Sequence, residues 1–359
     1  MKRPPSVTGR PPTEREPLDR PSARAADRCG YPPGVRPRSL GGTALLVTRI
    51  GLGLAALGRP AYIDVGREDD LGDARTPEAM ERRCHDVLDA AFYAGIRYVD
   101  AARSYGAAER FLASWLAARP EAARITVGSK WGYTYVADWD PDAEIHEVKD
   151  HSIEALRRQA PRSLELLGDH LGLYQVHSAT LESGILEDGA VLDELRRLGA
   201  EHGLVIGMSV SGPRQGDVVR RALELGASGL FRCVQATWNV LEPSVGDALA
   251  EAHAAGWGVI VKEALANGRL TARGEPAVAA TLRAVAEPSG STEDAVALAA
   301  VLANPWADVV LSGAVTPAQV RSNVGAVALG LTDDDLGTLA SLAGEPAAYW
   351  EARAALRWS

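Results

Sequence analysis

The chain has 359 residues, a formal net charge of -9 and a pI near 5.4, which excludes the basic surplus a nucleic-acid partner would demand. Its three cysteines, Cys29, Cys84 and Cys233, fit neither a disulfide framework nor a zinc cluster, so no metal and a reducing, cytoplasmic setting are expected. No run approaches the ~20 apolar residues of a membrane span, and the charged N-terminus lacks the apolar stretch of a signal peptide.

Residues 1–40 hold nine prolines and several arginines but few large apolar groups. Such a segment cannot bury enough surface to offset its ordering entropy, which predicts a flexible tail. A different grammar runs over 44–345, where β-like apolar runs alternate with stretches of helical period. The predicted strands are 46–53, 96–100, 125–130, 171–177, 204–210, 231–236, 257–262 and 307–313. The first predicted helix is PEAMERRCHDVLDAAFYAG, with Thr76 as N-cap, Pro77 at its first position and Gly95 as its stop. Further helical segments follow each later strand, among them AERFLASWLAA, EVKDHSIEALRRQ and PAQVRSNVGAVAL. Eight strand–helix repeats predict an α/β fold, a single (β/α)8 TIM barrel. A doubly wound sheet would carry G-x-G-x-x-G after its first strand, and the glycines of GLGLAALG do not have that spacing. The segment opening LTDDDLGTLASLAG, with Thr332 as cap, predicts an extra C-terminal helix, and 346–359 a C-terminal tail.

In such a barrel the chemistry sits at the carboxyl ends of the strands. Asp100 ends the second predicted strand, with Tyr105 in its loop; Lys130 ends the third and His177 the fourth. Any one of these alone reads as a cap, a solvated strand end or a packing group. Together, four ionisable side chains at one end of three successive strands point to one mouth. The chemistry suits the set. A phenol is a poor acid near neutral pH. A neighbouring ammonium is expected to favour its phenolate, and a carboxylate to hold that ammonium in place. Histidine can hydrogen-bond a carbonyl oxygen or help relay the proton. Such a site protonates an alkoxide as it forms on a carbonyl that accepts hydride, and the hydride has to come from a cofactor.

The motifs GIRYVDAARSYG, VGSKWG, LGDHLGLYQVHS, GMSVSG, VQATWN, VIVKEALANGRL and VVLSGAVTPAQVRSN, in that order from Val47 to Asn323, resemble the aldo-keto reductase superfamily. The resemblance implies a catalytic tetrad of Asp100, Tyr105, Lys130 and His177, with the tyrosine as general acid. It implies a cofactor bound in extended form, NADP on the family pattern with NAD as the other candidate. Ser209 and Gln235 match positions that hold the nicotinamide carboxamide, with Val210 where the family has Asn. Leu265 and Asn267 match a loop around the pyrophosphate, Gly313, Gln319 and Asn323 match the adenosine end, and Gly53 joins the cofactor set. Members that bind NADP carry Lys or Arg where this chain reads GAVTPAQ, which leaves Thr316, the following helix N-terminus and Arg321 as expected phosphate partners. Lys262 stands where many members stack an aromatic ring on the nicotinamide, and Trp238 is the expected substitute surface.

Trp131, Tyr133, Tyr135 and Trp139 crowd the loop after the third strand and are expected to wall a pocket for a flat or apolar carbonyl compound. Two other readings stand beside carbonyl reduction. One is a cofactor-binding regulatory subunit of the same fold with little turnover. The other is a Schiff-base lyase using Lys262 or Lys130.

Overall fold

The computed structural model describes residues 36–225 and 229–358. Eight parallel strands close into a barrel. In chain order they are β1 (Ile50–Gly53), β2 (Tyr98–Asp100), β3 (Thr126–Trp131), β4 (Leu171–Ala179), β5 (Val205–Val210), β6 (Phe231–Thr237), β7 (Gly258–Lys262) and β8 (Val309–Ser312). Each pairs with its neighbour in sequence, and β8 closes on β1 with Val310 opposite Ile50. This is the predicted (β/α)8 barrel, and every predicted strand is represented in it.

The barrel interior is packed. Tyr98, fully buried, packs inside it in one cluster with Leu173, Cys233, Ile260 and Val309. Its ring fits because β3 offers glycine opposite: a Cβ on Gly128 would come within 2.2 Å of the Tyr98 hydroxyl oxygen. Outside, helix α1 (Pro77–Tyr93) starts where predicted, with the Thr76 hydroxyl accepting from the Ala79 N–H at 3.3 Å. Its apolar face, with Met80, Cys84, Val87, Leu88 and Ala91, is buried.

Three expectations change. Residues 1–35 of the predicted tail lie outside the described residues, but 36–40 do not belong to a tail. Arg38–Ser39 pairs with Leu46–Val47, and Leu40 plugs the barrel floor with no exposed surface. Residues 147–149 are not helical. Glu147–Lys149 pairs antiparallel with Tyr133–Tyr135, and the helix α2 (Ile153–Leu167) begins only after Ser152, whose hydroxyl caps the Ala155 N–H at 3.2 Å. The C-terminal residues are a helix rather than a tail. Beyond the predicted helix α3 (Asp333–Ala340), capped by Thr332, a further helix α4 (Pro346–Ala354) docks over the barrel mouth. The hydroxyl of its buried Tyr349 accepts from the Asn239 amide at 2.9 Å, and its Arg353 ion-pairs with Glu263. Among the described residues no helix is long and apolar enough to cross a membrane.

Candidate active site

Alternation along the strands puts Asp100, Lys130, Gln235 and Lys262 on the barrel's inner face near its carboxyl end. Lys130, buried, donates its Nζ to Asp100 Oδ1, to the Ala101 carbonyl at 2.9 Å and to the Tyr105 hydroxyl at 3.3 Å. Asp100 Oδ2 accepts from the Tyr98 hydroxyl at 3.1 Å and from Gln235 Nε2 at 2.8 Å. The His177 ring stands edge-on to the Tyr105 ring, with centroids 5.6 Å apart. Its Nδ1 lies 3.4 Å from the Ser104 hydroxyl. All four residues predicted as a tetrad therefore meet at one place.

The electrostatics assign protonation states. Burial holds the Lys130 ammonium below the usual range, and Asp100 pulls the other way. Burial, with Lys130, Lys262 and Arg59 adding to it, pushes His177 well down, so its imidazole is neutral. Burial and then Asp100 raise the Tyr105 phenol well above its usual value, with Arg59 opposing them. The hydroxyl is thus kept protonated, and two cations face it: the Arg59 guanidinium, 5.3 Å from the ring centroid, and the Lys130 ammonium, which donates to it at 3.3 Å.

A cavity of about 800 Å³ opens at this end and reaches from Tyr105, His177 and Tyr133 to the segment after β8. Of the residues matched to cofactor binding, Gly53, Gln235, Lys262, Leu265, Asn267, Gly313, Gln319 and Asn323 all line it. Ser209 does not. It is fully buried, and its hydroxyl accepts from the Ser178 N–H at 2.8 Å, which pins the backbone beside His177. Two buried amide oxygens of the cavity wall, Gln235 Oε1 and Asn267 Oδ1, have no protein partner and can accept from a bound molecule. Ser178, Glu263 and Asn267 hold positive φ angles of 53°, 54° and 56° in the same wall. Non-glycine residues in that region cluster at functional sites.

Lys262 donates to the Thr237 hydroxyl at 3.0 Å and lies 3.9 Å from Glu263. Burial brings its ammonium down to about 8 against the pull of Glu263.

The aromatic walls differ from expectation. Tyr133 lines the cavity, but Trp131 is fully buried toward the helix layer, because the residue after an inward Lys130 must face outward. Trp238 packs edge-on against Trp306 at 5.7 Å, away from the cavity. Tyr135 and Trp139 lie in a separate depression, where Trp139 Nε1 donates to the Arg75 carbonyl at 2.7 Å. Arg321 is exposed and does not line the cavity. In their place stand Tyr62, Trp350 and Trp358, together with Arg59. The Trp358 ring lies flat on His146 at 4.2 Å and 4.7 Å from the Arg59 guanidinium, and so ties the C-terminus to the hairpin after β3. The two tryptophans within AYWEARAALRW were the available sign that this segment is not an inert tail.

The fold and the site together define a barrel protein whose ionisable groups and cavity share the carboxyl end of the strands, where barrel enzymes keep their chemistry. Residues 49–343 match the Aldo/keto reductase family, and the chain belongs to that family. The family is one of oxidoreductases named for aldehyde and ketone reduction, and it generally uses nicotinamide cofactors. Among relatives, it is 31% identical over 159 residues to pyridoxal 4-dehydrogenase of Microbacterium luteolum, a match spanning 39% of this chain and 42% of that enzyme. It is 25% identical to aldo-keto reductase str7 of Strobilurus tenacellus over 84% of this chain and 90% of that one. Aldo-keto reductase AKR11C1 of Bacillus halodurans, solved in holo form, shares the fold with a TM-score of 0.67 at 21% identity, over 87% of this chain and 97% of that one.

Proposed function

We propose that the chain interconverts a carbonyl compound and its alcohol using a nicotinamide dinucleotide, with Tyr105 as proton donor to the carbonyl oxygen. The observation that carries this reading is the Lys130 ammonium held between Asp100 and the Tyr105 hydroxyl, 3.3 Å away, beside a neutral His177. The unpartnered acceptors Gln235 Oε1 and Asn267 Oδ1 suit the amide and hydroxyl donors of such a cofactor. When bound, the cofactor supplies or takes up the hydride.

In reduction, the phenol proton goes to the oxygen that becomes the alkoxide. Lys130 then stabilises the charge left on Tyr105, and Asp100 keeps that ammonium charged and aimed. If the Ser104 hydroxyl donates to His177 Nδ1, the ring's N–H is on Nε2, free to hold the carbonyl oxygen. Three acceptors around Lys130 Nζ favour an ammonium, which argues against Schiff-base chemistry there. The aromatic mouth of Tyr62, Tyr133, Trp350 and Trp358 suits a flat substrate, and pyridoxal, named for one relative, is a flat aromatic aldehyde.

Tyr105→Phe tests the division of labour. Turnover of aromatic aldehydes should fall by about 10²–10⁴-fold. Cofactor affinity, read by fluorescence titration, should stay within about twofold, because the hydroxyl serves the proton and not the dinucleotide. A turnover loss under tenfold, or a collapse of cofactor affinity, would overturn the assignment.

A further inference from the structure

The end of the cavity remote from Tyr105 carries a different charge pattern from the reacting end. Asp64, Asp70, Arg273, Asp294, Gln319 and Asn323 line it. Asp70 accepts from Gln319 Nε2 at 2.7 Å and takes the Arg273 guanidinium in a bidentate pair at 2.7 and 2.8 Å. Arg273 is thus neutralised before any ligand arrives. Arg67, the other cation described in this part of the wall, is buried and donates to the carbonyls of Ala56, Arg59 and Pro60. Three N–H groups at the head of the helix Pro317–Gly325 are also engaged. Those of Val315 and Thr316 donate to Gln319 Oε1 at 2.8 and 3.2 Å, and that of Gln319 donates to Thr316 Oγ1 at 3.2 Å. Asp294 lies 2.8 Å from the Asn323 amide and accepts from the Ser322 hydroxyl at 2.9 Å. Acceptors therefore dominate here: the carboxylates of Asp70 and Asp294, and the partnerless, buried Asn267 Oδ1.

If the reacting ring of a dinucleotide lies at Tyr105, its adenosine half lies at this acceptor-rich end. A free ribose offers hydroxyl donors, which carboxylates receive well. A 2′-phosphate brings about 1.5–2 negative charges and needs uncommitted cations. We infer that this end selects NAD(H) over NADP(H), with Asp70 as the specificity-determining residue: its carboxylate, held by Gln319, accepts a ribose hydroxyl, occupies Arg273 and repels a phosphate. The inference rests on the reading that the cavity takes a nicotinamide dinucleotide, and it runs against the NADP expected from the family pattern.

Equilibrium binding to the full chain tests it, with NADH against NADPH followed by fluorescence, and 5′-ADP against 2′,5′-ADP by calorimetry. The ADP pair isolates the remote end from the catalytic one. NADH and 5′-ADP should each bind at least about tenfold tighter than their phosphorylated counterparts, or about 1.4 kcal/mol. Asp70→Asn should bring both ratios at least about fivefold closer to one, because it releases Arg273 for the phosphate. Asp294→Asn should move them the same way by less and stands in if the first variant does not fold. NADPH binding as tightly as NADH would overturn the inference while leaving the oxidoreductase reading intact. Unchanged ratios in both variants would overturn the role of the carboxylates. Binding of neither dinucleotide would overturn the reading and the inference together.

Discussion

Replacing Glu263 by Gln removes one charge from the centre of a buried cluster and nothing else of comparable size. Glu263 opens the turn after β7, with only 7% of its side chain exposed, and it faces both Lys262 and Arg353. Burial works against its charge, but Lys262 and Arg353 outweigh that, and the carboxyl falls from 4.5 to about 2. At about 1.36 kcal/mol per pH unit, that fall is worth ~3 kcal/mol. The figure agrees with the ~3–5 kcal/mol lost when one partner of a buried pair is removed. Because the folded value is depressed, the contribution is complete above 4.5 and is lost as pH drops toward 2. Urea unfolding of wild type and Glu263→Gln should therefore differ by ~3 kcal/mol at pH 7 and by less than half of that near pH 3. Trp350 and Trp358 fluorescence should report the same change at the C-terminal helix. A difference under ~1 kcal/mol at pH 7, or one that does not shrink in acid, would refute the claim that this cluster secures the helix to the barrel.

Gly58→Ala should lower both stability and turnover, since the added Cβ would lie 2.2 Å from the Tyr105 carbonyl oxygen and 2.5 Å from Ala108 Cβ. Overpacking of this kind costs ~1–3 kcal/mol, and thermal melts with steady-state rates would show it. Lys130→Met should lower turnover by at least about 10²-fold and stability by ~3–5 kcal/mol, because Asp100 loses its buried counter-charge; unfolding and single-turnover measurements check the two losses. Arg59→Met should move the basic limb of the alcohol-oxidation pH profile upward, because Arg59 opposes burial and Asp100 at the phenol. A downward move would contradict that electrostatic order.

The strands, and the strand-end positions of Asp100, Lys130 and His177, were legible because both follow from the two-residue period of a strand. Apolar runs marked the barrel wall, and Asp100, Lys130 and His177 stood where those runs stopped. The same period could have placed Trp131 outside, since it adjoins an inward lysine. Ser209 was not legible in this way, because its hydroxyl serves an N–H exposed by the positive φ of Ser178, a turn no periodicity announces. The far wall was hidden for another reason. Arg59 and Trp358 meet at 4.7 Å although almost the whole barrel separates them in sequence, and only closure of the ring brings those segments together.

The placement of charge bears on direction as well as on cofactor. Burial, and then Lys130, Lys262 and Arg59, keep the His177 imidazole neutral, so it cannot serve as a charged proton source at neutral pH. The proposed donor Tyr105 is then the acid left beside the reacting oxygen, and the same cations favour the negative charge that develops there. In oxidation the phenol has to give up its proton first, which burial and Asp100 oppose. The rate of alcohol oxidation should therefore rise with pH over a range in which the rate of carbonyl reduction stays flat. A reduction rate that fell with a midpoint near neutral pH would mean that His177, not Tyr105, carries the proton.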